Sequence, residues 1–324
     1  MIGRRSLMTG VALLAAPSLV RASTWPERPV TMQVPFAAGG PTDVMARIMA
    51  QKLGDVLGQA VPVENIGGAG GILGTQRTAR AEPDGYTFGL GHMGTLAANT
   101  AFYKQLPYDP LESFEPLGLF AVNPMVLAVR PGMGRNLAEM RQWIARNPAR
   151  LTIATAGTGS VSYLGALLFD RAVGAQATLV PYRGAGPALQ DTMNGVTDAI
   201  VDQAVTVIPH ATGGTLRALV VTVPQRLDQM PSVPTAAQAG LPGFDITVWN
   251  AAVAPRGTPE AVTRRLTEAI NAVLDDEAVK ERFADMAIQI PPEEERGPEP
   301  QRALMVREIA RWGALTREVG VEPE

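Results

Sequence analysis

From Pro29 onward, short runs rich in β-branched residues alternate with longer segments whose apolar residues recur at helical spacing. Residues 30–34 read as a strand that stops at Pro35, and residues 42–57 follow with Val44, Ile48, Leu53 and Leu57 along one helical face. A second strand at 61–64 runs into Gly67-Gly68-Ala69-Gly70-Gly71 and a helix ending near Ala81. Pro83-Asp84-Gly85 is a turn signal ahead of a third strand at 86–91. Strands and helices alternating in this way predict a mostly parallel sheet flanked by helices, an α/β fold.

The pattern changes after Pro107-Tyr108-Asp109-Pro110, where residues 117–129 form a long extended apolar segment suited to crossing between two units. A second α/β set is predicted beyond it: helix 137–146, strand 151–155, helix 163–173, strand 178–181, helix 187–194, strand 197–201 and strand 216–223. A proline-rich return, 231–242, leads to strand 245–253, and His210 falls in a further helix beside Pro209. Helices at 259–274, 277–287 and 298–319 end the chain and are expected to pack back on the first unit. Two crossovers between the units predict a hinged pair of lobes, residues 23–123 with 245–324 and residues 124–244. A cleft between lobes is the usual seat of a small ligand.

Composition narrows the function. The chain has 324 residues, net charge −3, 46% hydrophobic residues and no cysteine. Disulfides, thiolate catalysis and cysteine-held metals are therefore excluded, and scattered positive residues without a basic stripe argue against nucleic acid as a partner. Residues 1–22 read as a cleavable signal peptide: Arg4 and Arg5, an apolar stretch from Leu7 to Val20, and Val20-Arg21-Ala22 with small residues at the −3 and −1 positions. Cleavage near Ala22, after export by the general or the twin-arginine route, would deliver a periplasmic protein. No other apolar run is long and unbroken enough to span a bilayer.

Two strand-to-helix turns stand out, Phe36-Ala37-Ala38-Gly39-Gly40-Pro41-Thr42-Asp43 in the first set and Ala156-Gly157-Thr158-Gly159-Ser160 in the second. Glycine permits close backbone approach, and the free N–H groups of a helix's first turn attract an anion. Facing turns of this kind would clamp a carboxylate without Arg or Lys; each alone would equally serve as a plain helix cap, with Thr42 or Ser160 as cap. Neither has the spacing of a phosphate loop. His92-Met93-Gly94-Thr95 ends the third strand at the same edge, and His92 there reads either as a structural residue or as a base. Tyr182-Arg183-Gly184 opens another helix, with Arg183 free to pair with a second carboxylate or to face solvent. Asp202 ends strand 197–201, where its carboxylate would meet a ligand hydroxyl or amine, or orient a loop. Trp249 reads as core or hinge packing. No zinc motif or G-x-S-x-G occurs, so no metal or cofactor is expected.

Several collinear motifs resemble one family. These are Pro29-Val30, Val34 to Gly40 with Asp43, Val63-Glu64-Asn65 with Gly68-Ala69-Gly70-Gly71, Pro83 to Thr87, Leu106 to Pro110, Gly157 to Ser160, Pro181 to Gly184, Pro234-Thr235 with Gly240, and Pro242-Gly243. From about Trp25 to the C-terminus the chain resembles the tripartite tricarboxylate transporter substrate-binding proteins, also called Bug or TctC-like proteins. The resemblance implies a two-lobed periplasmic-binding-protein fold of the type II-like Venus-flytrap kind. It also implies a small carboxylate held by backbone N–H groups and ordered waters, and a permease of one large and one small membrane subunit as partner of a monomeric receptor. Carried over, the pocket falls on Phe36 to Gly40, Thr42, Asp43, His92 to Thr95, Gly157 to Ser160, Tyr182 to Gly184 and Asp202. Tyr163 stands where the family commonly has His, Arg183 where it has Lys, and Ile66-Gly67 where it has Arg-Pro. The alternatives are an enzyme on the same scaffold using His92 and Asp202, or a co-receptor for a sensor kinase.

Overall fold

The computed structural model describes residues 25–318; the expected signal peptide lies outside the described residues. Its strands are β1 (Thr31–Val34), β2 (Val63–Asn65), β3 (Thr87–His92), β4 (Phe114–Val129), β5 (Thr152–Thr155), β6 (Thr178–Pro181), β7 (Ala199–Gln203), β8 (Arg217–Val221) and β9 (Thr247–Pro255). The helices are α1 (Pro41–Leu57), α2 (Ile72–Ala79), α3 (Asn99–Phe102), α4 (Leu137–Arg146), α5 (Val161–Val173), α6 (Ala185–Met193), α7 (Ala204–Thr212), α8 (Glu260–Asp275), α9 (Glu277–Asp285) and α10 (Pro298–Glu318).

The strand order is β2-β1-β3-β9-β4-β7-β5-β6, with β8 also on β4. A parallel trio stands at each end, β2-β1-β3 and β7-β5-β6, and the long strands β4 and β9 join them through antiparallel pairings. β4 changes partner in mid-course: Pro124 is in register with Thr247 of β9, and Met125 with Gln203 of β7. It is the extended apolar segment expected at 117–129, and it is buried along most of its length because helices cover the sheet on both faces.

One core lies beneath the first trio, with Met32, Leu53, Phe88, Phe120, Leu266 and Phe283; another lies beneath the second, with Val126, Ala154, Leu189, Ile200 and Val207. A third runs across both, bringing Leu96, Phe102, Phe169, Phe244 and Trp312 together. α10 was expected to rest on the first unit, but Trp312 also packs into this shared core beside α5. Trp249 is buried in the same core.

Two differences from the expected elements bear on function. A π-helical turn, Gly94–Ala98, follows β3 and continues into α3, in a stretch that sequence reading left without an element. Every residue from 93 to 99 is buried, so no polar face marks the helical period. β7 extends to Gln203, which places Asp202 within the strand rather than beyond its last residue.

Candidate functional site

The loop between β1 and α1 is held from behind. Asp43 accepts hydrogen bonds from the Gly39 N–H (2.9 Å), Arg47 Nε (3.0 Å) and Asn65 Nδ2 (2.9 Å), while Asn65 Nδ2 also donates to the Phe36 carbonyl (3.1 Å). Burial pushes the Asp43 carboxyl upward, but these donors and the Arg47 charge outweigh it and hold the group below the ordinary aspartate value. Asp43, expected to touch ligand, thus shapes the loop. Gly40, with extended backbone and no side-chain hydrogen bond, caps α1 in place of Thr42. Ser160 does cap α5, its Oγ accepting from the Tyr163 N–H at 3.1 Å.

Four helices of nine residues or more begin around one narrow cavity. Pro41 and Thr42 come from α1, Ser160 and Val161 from the start of α5, Ala185 from α6, and Gln203 caps α7. Phe36, His92, Ala156 and Asp202 complete the wall, and among the described residues no Lys or Arg lines it. The first-turn N–H groups and aligned dipoles of these helices give the cavity a positive character.

His92 is 2% exposed and stacks on Phe36 with ring centroids 4.9 Å apart. Its Nδ1 accepts from the Gly94 N–H at 2.9 Å, which fixes the neutral tautomer with the proton on Nε2. Burial pushes its pKa down to about 4. Asp202 is 1% exposed; burial raises its pKa to about 7 against the opposing pull of the Thr206 hydroxyl (2.8 Å) and the Gln203 backbone. Gln203 Oε1 accepts from Asn123 Nδ2 at 2.7 Å, leaving the Gln203 amide hydrogens without a partner among the described residues.

Outside this cavity the two sets of loops meet backbone to backbone. A Cβ on Gly70 would lie 1.9 Å from the Thr158 carbonyl, one on Gly157 2.9 Å from the Gly70 nitrogen, one on Gly67 2.7 Å from the Arg183 carbonyl, and one on Gly184 2.9 Å from the Ala37 nitrogen. Tyr103 closes the same seam by donating its hydroxyl to the Thr158 carbonyl at 2.9 Å.

The residues picked from sequence thus divide by place. Phe36, Thr42, His92, Ser160 and Asp202 line the cavity, and Gly40 stands at the start of α1 beside it. Ala37 and Gly184 pack on each other across the seam, with Ala38 and Gly39 exposed at its rim. Gly157 and Thr158 also belong to the seam, and Gly159 abuts Asn99, a Cβ there falling 2.3 Å from Asn99 Oδ1. Met93 is core; Gly94 and Thr95 orient His92, Thr95 Oγ1 accepting from the His92 N–H at 3.2 Å. Tyr182 donates to Asp191 at 2.7 Å, and Arg183 is exposed; both line an outer mouth with Thr158, apart from the enclosed wall. His210 sits at the far end of α7 beside Thr215. Gln203, Asn123, Asn65 and Tyr103 were not singled out. An Asp-Gln pair at a strand end ahead of a helix was the one available signal for Gln203.

Among the described residues, no group of three His, Asp or Glu is placed to hold a metal ion, and no helix is long and apolar enough to cross a membrane. Comparison with known proteins places this geometry. Residues 45–321 match the tripartite tricarboxylate transporter family receptor, TctC. BugT of Bordetella pertussis is 37% identical over 323 residues, covering 98% of this chain and 96% of that protein. The periplasmic binding protein BugD superposes with a TM-score of 0.89 at 36% identity, covering 93% of this chain and all of that one. MatC from Rhodopseudomonas palustris, solved with bound malate, gives 0.85 at 40% identity, covering 90% and 99%. The architecture is the two-lobed α/β periplasmic-binding-protein fold, and the chain belongs to the tripartite tricarboxylate transporter receptor family.

Proposed function

We propose that this chain is an extracytoplasmic solute-binding protein that closes two lobes around a small carboxylate and passes it on without chemical change. The observation that carries the reading is the convergence of α1, α5, α6 and α7, by their N-termini, on one enclosed cavity without a cationic side chain. Such a cavity stabilises a carboxylate through fixed N–H groups and helix dipoles, and closure removes the water that would compete for it. Phe36, Thr42, His92, Ser160, Gln203 and Asp202 are its ligand-facing residues. The change of partner along β4 at Pro124 and Met125 supports lobes of residues 23–123 with 245–324 and residues 124–244. MatC, with malate, supports the ligand class.

Export with signal cleavage near Ala22, monomeric action and delivery to a permease of one large and one small subunit complete the proposal. Native mass spectrometry of protein purified from periplasm without refolding tests it. The expected result is a mature chain beginning near Ser23 carrying one small carboxylic acid, recovered unchanged after prolonged incubation. A bound species without a carboxylate, or a product whose formation depends on His92, refutes it.

A further inference from the structure

The cavity's hydrogen-bonding groups are unevenly matched. Its first-turn N–H groups, the Nε2–H of His92 and the free amide hydrogens of Gln203 are all donors suited to a carboxylate. Against them stands one charged acceptor, Asp202, which is 1% exposed and lines the same wall. No Lys or Arg forms an ion pair with it among the described residues. Among the described residues its partners are the Thr206 hydroxyl and the Gln203 backbone, at the start of α7. A desolvated carboxylate without a cation is costly, and a second carboxylate brought against it in the closed cavity would add repulsion. A ligand hydroxyl or ammonium turned toward Asp202 replaces that penalty with a charge-assisted hydrogen bond.

We infer that Asp202 is a specificity-determining residue, selecting a carboxylate that also carries a hydroxyl or ammonium donor over the same carbon skeleton without one. The inference rests on the carboxylate-binding reading and adds to it the chemistry of the ligand's other end. Thr206 is a positioning residue in this arrangement, since its hydroxyl fixes one Asp202 oxygen. Above pH 7 the Asp202 carboxyl is ionised and acts as acceptor only, so selectivity is sharpest there.

Calorimetric titration at pH 8 with three series, succinate–malate–aspartate, glutarate–2-hydroxyglutarate–glutamate and adipate–2-hydroxyadipate–2-aminoadipate, tests the inference. The wild type is expected to bind a hydroxy or amino member at least ten-fold more tightly than its plain partner. Asp202→Asn, checked by thermal melting, should cut that ratio at least five-fold. Loss on Asp202→Asn confined to the amino acid identifies ammonium as the recognised donor, and loss of both identifies the shared acceptor. Thr206→Val should lower the same ratio by a smaller factor, and it provides the reading if Asp202→Asn does not fold. The inference is overturned if plain and substituted acids bind alike, or if the ratio survives in both variants. Absence of binding by every acid would refute the carboxylate reading itself.

Discussion

The enclosed cavity and the seam around it use opposite kinds of residue. The cavity is chemically specified by side chains and helix starts, whereas the seam is built from glycines whose missing Cβ atoms let two backbones touch. The lesson is that several glycines of the sequence motifs let two backbones pack closely and do not line the cavity. Gly40 illustrates the difference: a Cβ there would meet nothing nearer than 3.5 Å, and its backbone is ordinary, whereas Gly70 has φ +60° and almost no room.

That contrast can be broken at several points. The largest effect is expected for Gly70→Ala, which sets a methyl against the Thr158 carbonyl. Binding of a carboxylate such as malate should weaken by roughly ten- to a hundred-fold, about 1.4–3 kcal/mol, with little benefit from raising ligand length. Gly40→Ala, at the cavity side, should stay close to wild type. Equal affinities for the two variants, measured by calorimetry, would remove the seam from the account.

A second effect concerns stability against pH. Asp202 has a folded pKa of about 7 against an ordinary 3.8, so it favours the folded state fully below 3.8 and loses that contribution as pH rises to 7. His92 has a folded pKa of about 4 against 6.5, so its contribution is present above 6.5 and is lost as pH falls to 4. Between pH 4 and 6.5 the two oppose each other. Asp202→Asn should make stability rise with pH across this window, and His92→Gln should make it fall, each by at most about 1.4 kcal/mol per pH unit. Thermal melts at half-unit steps read the slopes, and a variant slope of the opposite sign would show that the residue is not held in the ionisation state described.

Ser160→Ala removes the side-chain cap of α5 and should cost about 0.5–2 kcal/mol in stability, visible as a lower melting temperature. The smallest effect is expected for Arg183→Ala. Its exposed side chain lies at the outer mouth, where charge is screened by salt, so carboxylate affinity should change by less than about two-fold. A loss of ten-fold or more would mean the guanidinium enters the cavity when ligand is present.

Much of this was legible before the structure. α4 and β6 fall on the expected residues, and β1, α1 and α5 within two, because each carries its own periodicity or cap. The strand-to-helix turns at Phe36, Ser160 and Asp202 were recognisable as one edge of the sheet. What local pattern could not convey was which glycine meets which carbonyl. Gly70 and Thr158 are distant in sequence, and only the tertiary fold brings them together. The π-helical turn after His92 was hidden because it is buried all round, and the part Asp43 plays in shaping its loop was hidden because Arg47 and Asn65 reach its carboxyl from outside the loop.

The central claim is that fixed backbone dipoles, without a cationic side chain, hold the ligand's carboxylate in the cavity. Titration of the wild type with malate, glutarate and adipate and with their uncharged diamides tests it most directly. At least one diacid should bind, its diamide should bind at least a hundred-fold more weakly, and Arg183→Ala should leave that difference unchanged. Diamides binding as well as diacids, or a difference that disappears in Arg183→Ala, would contradict it.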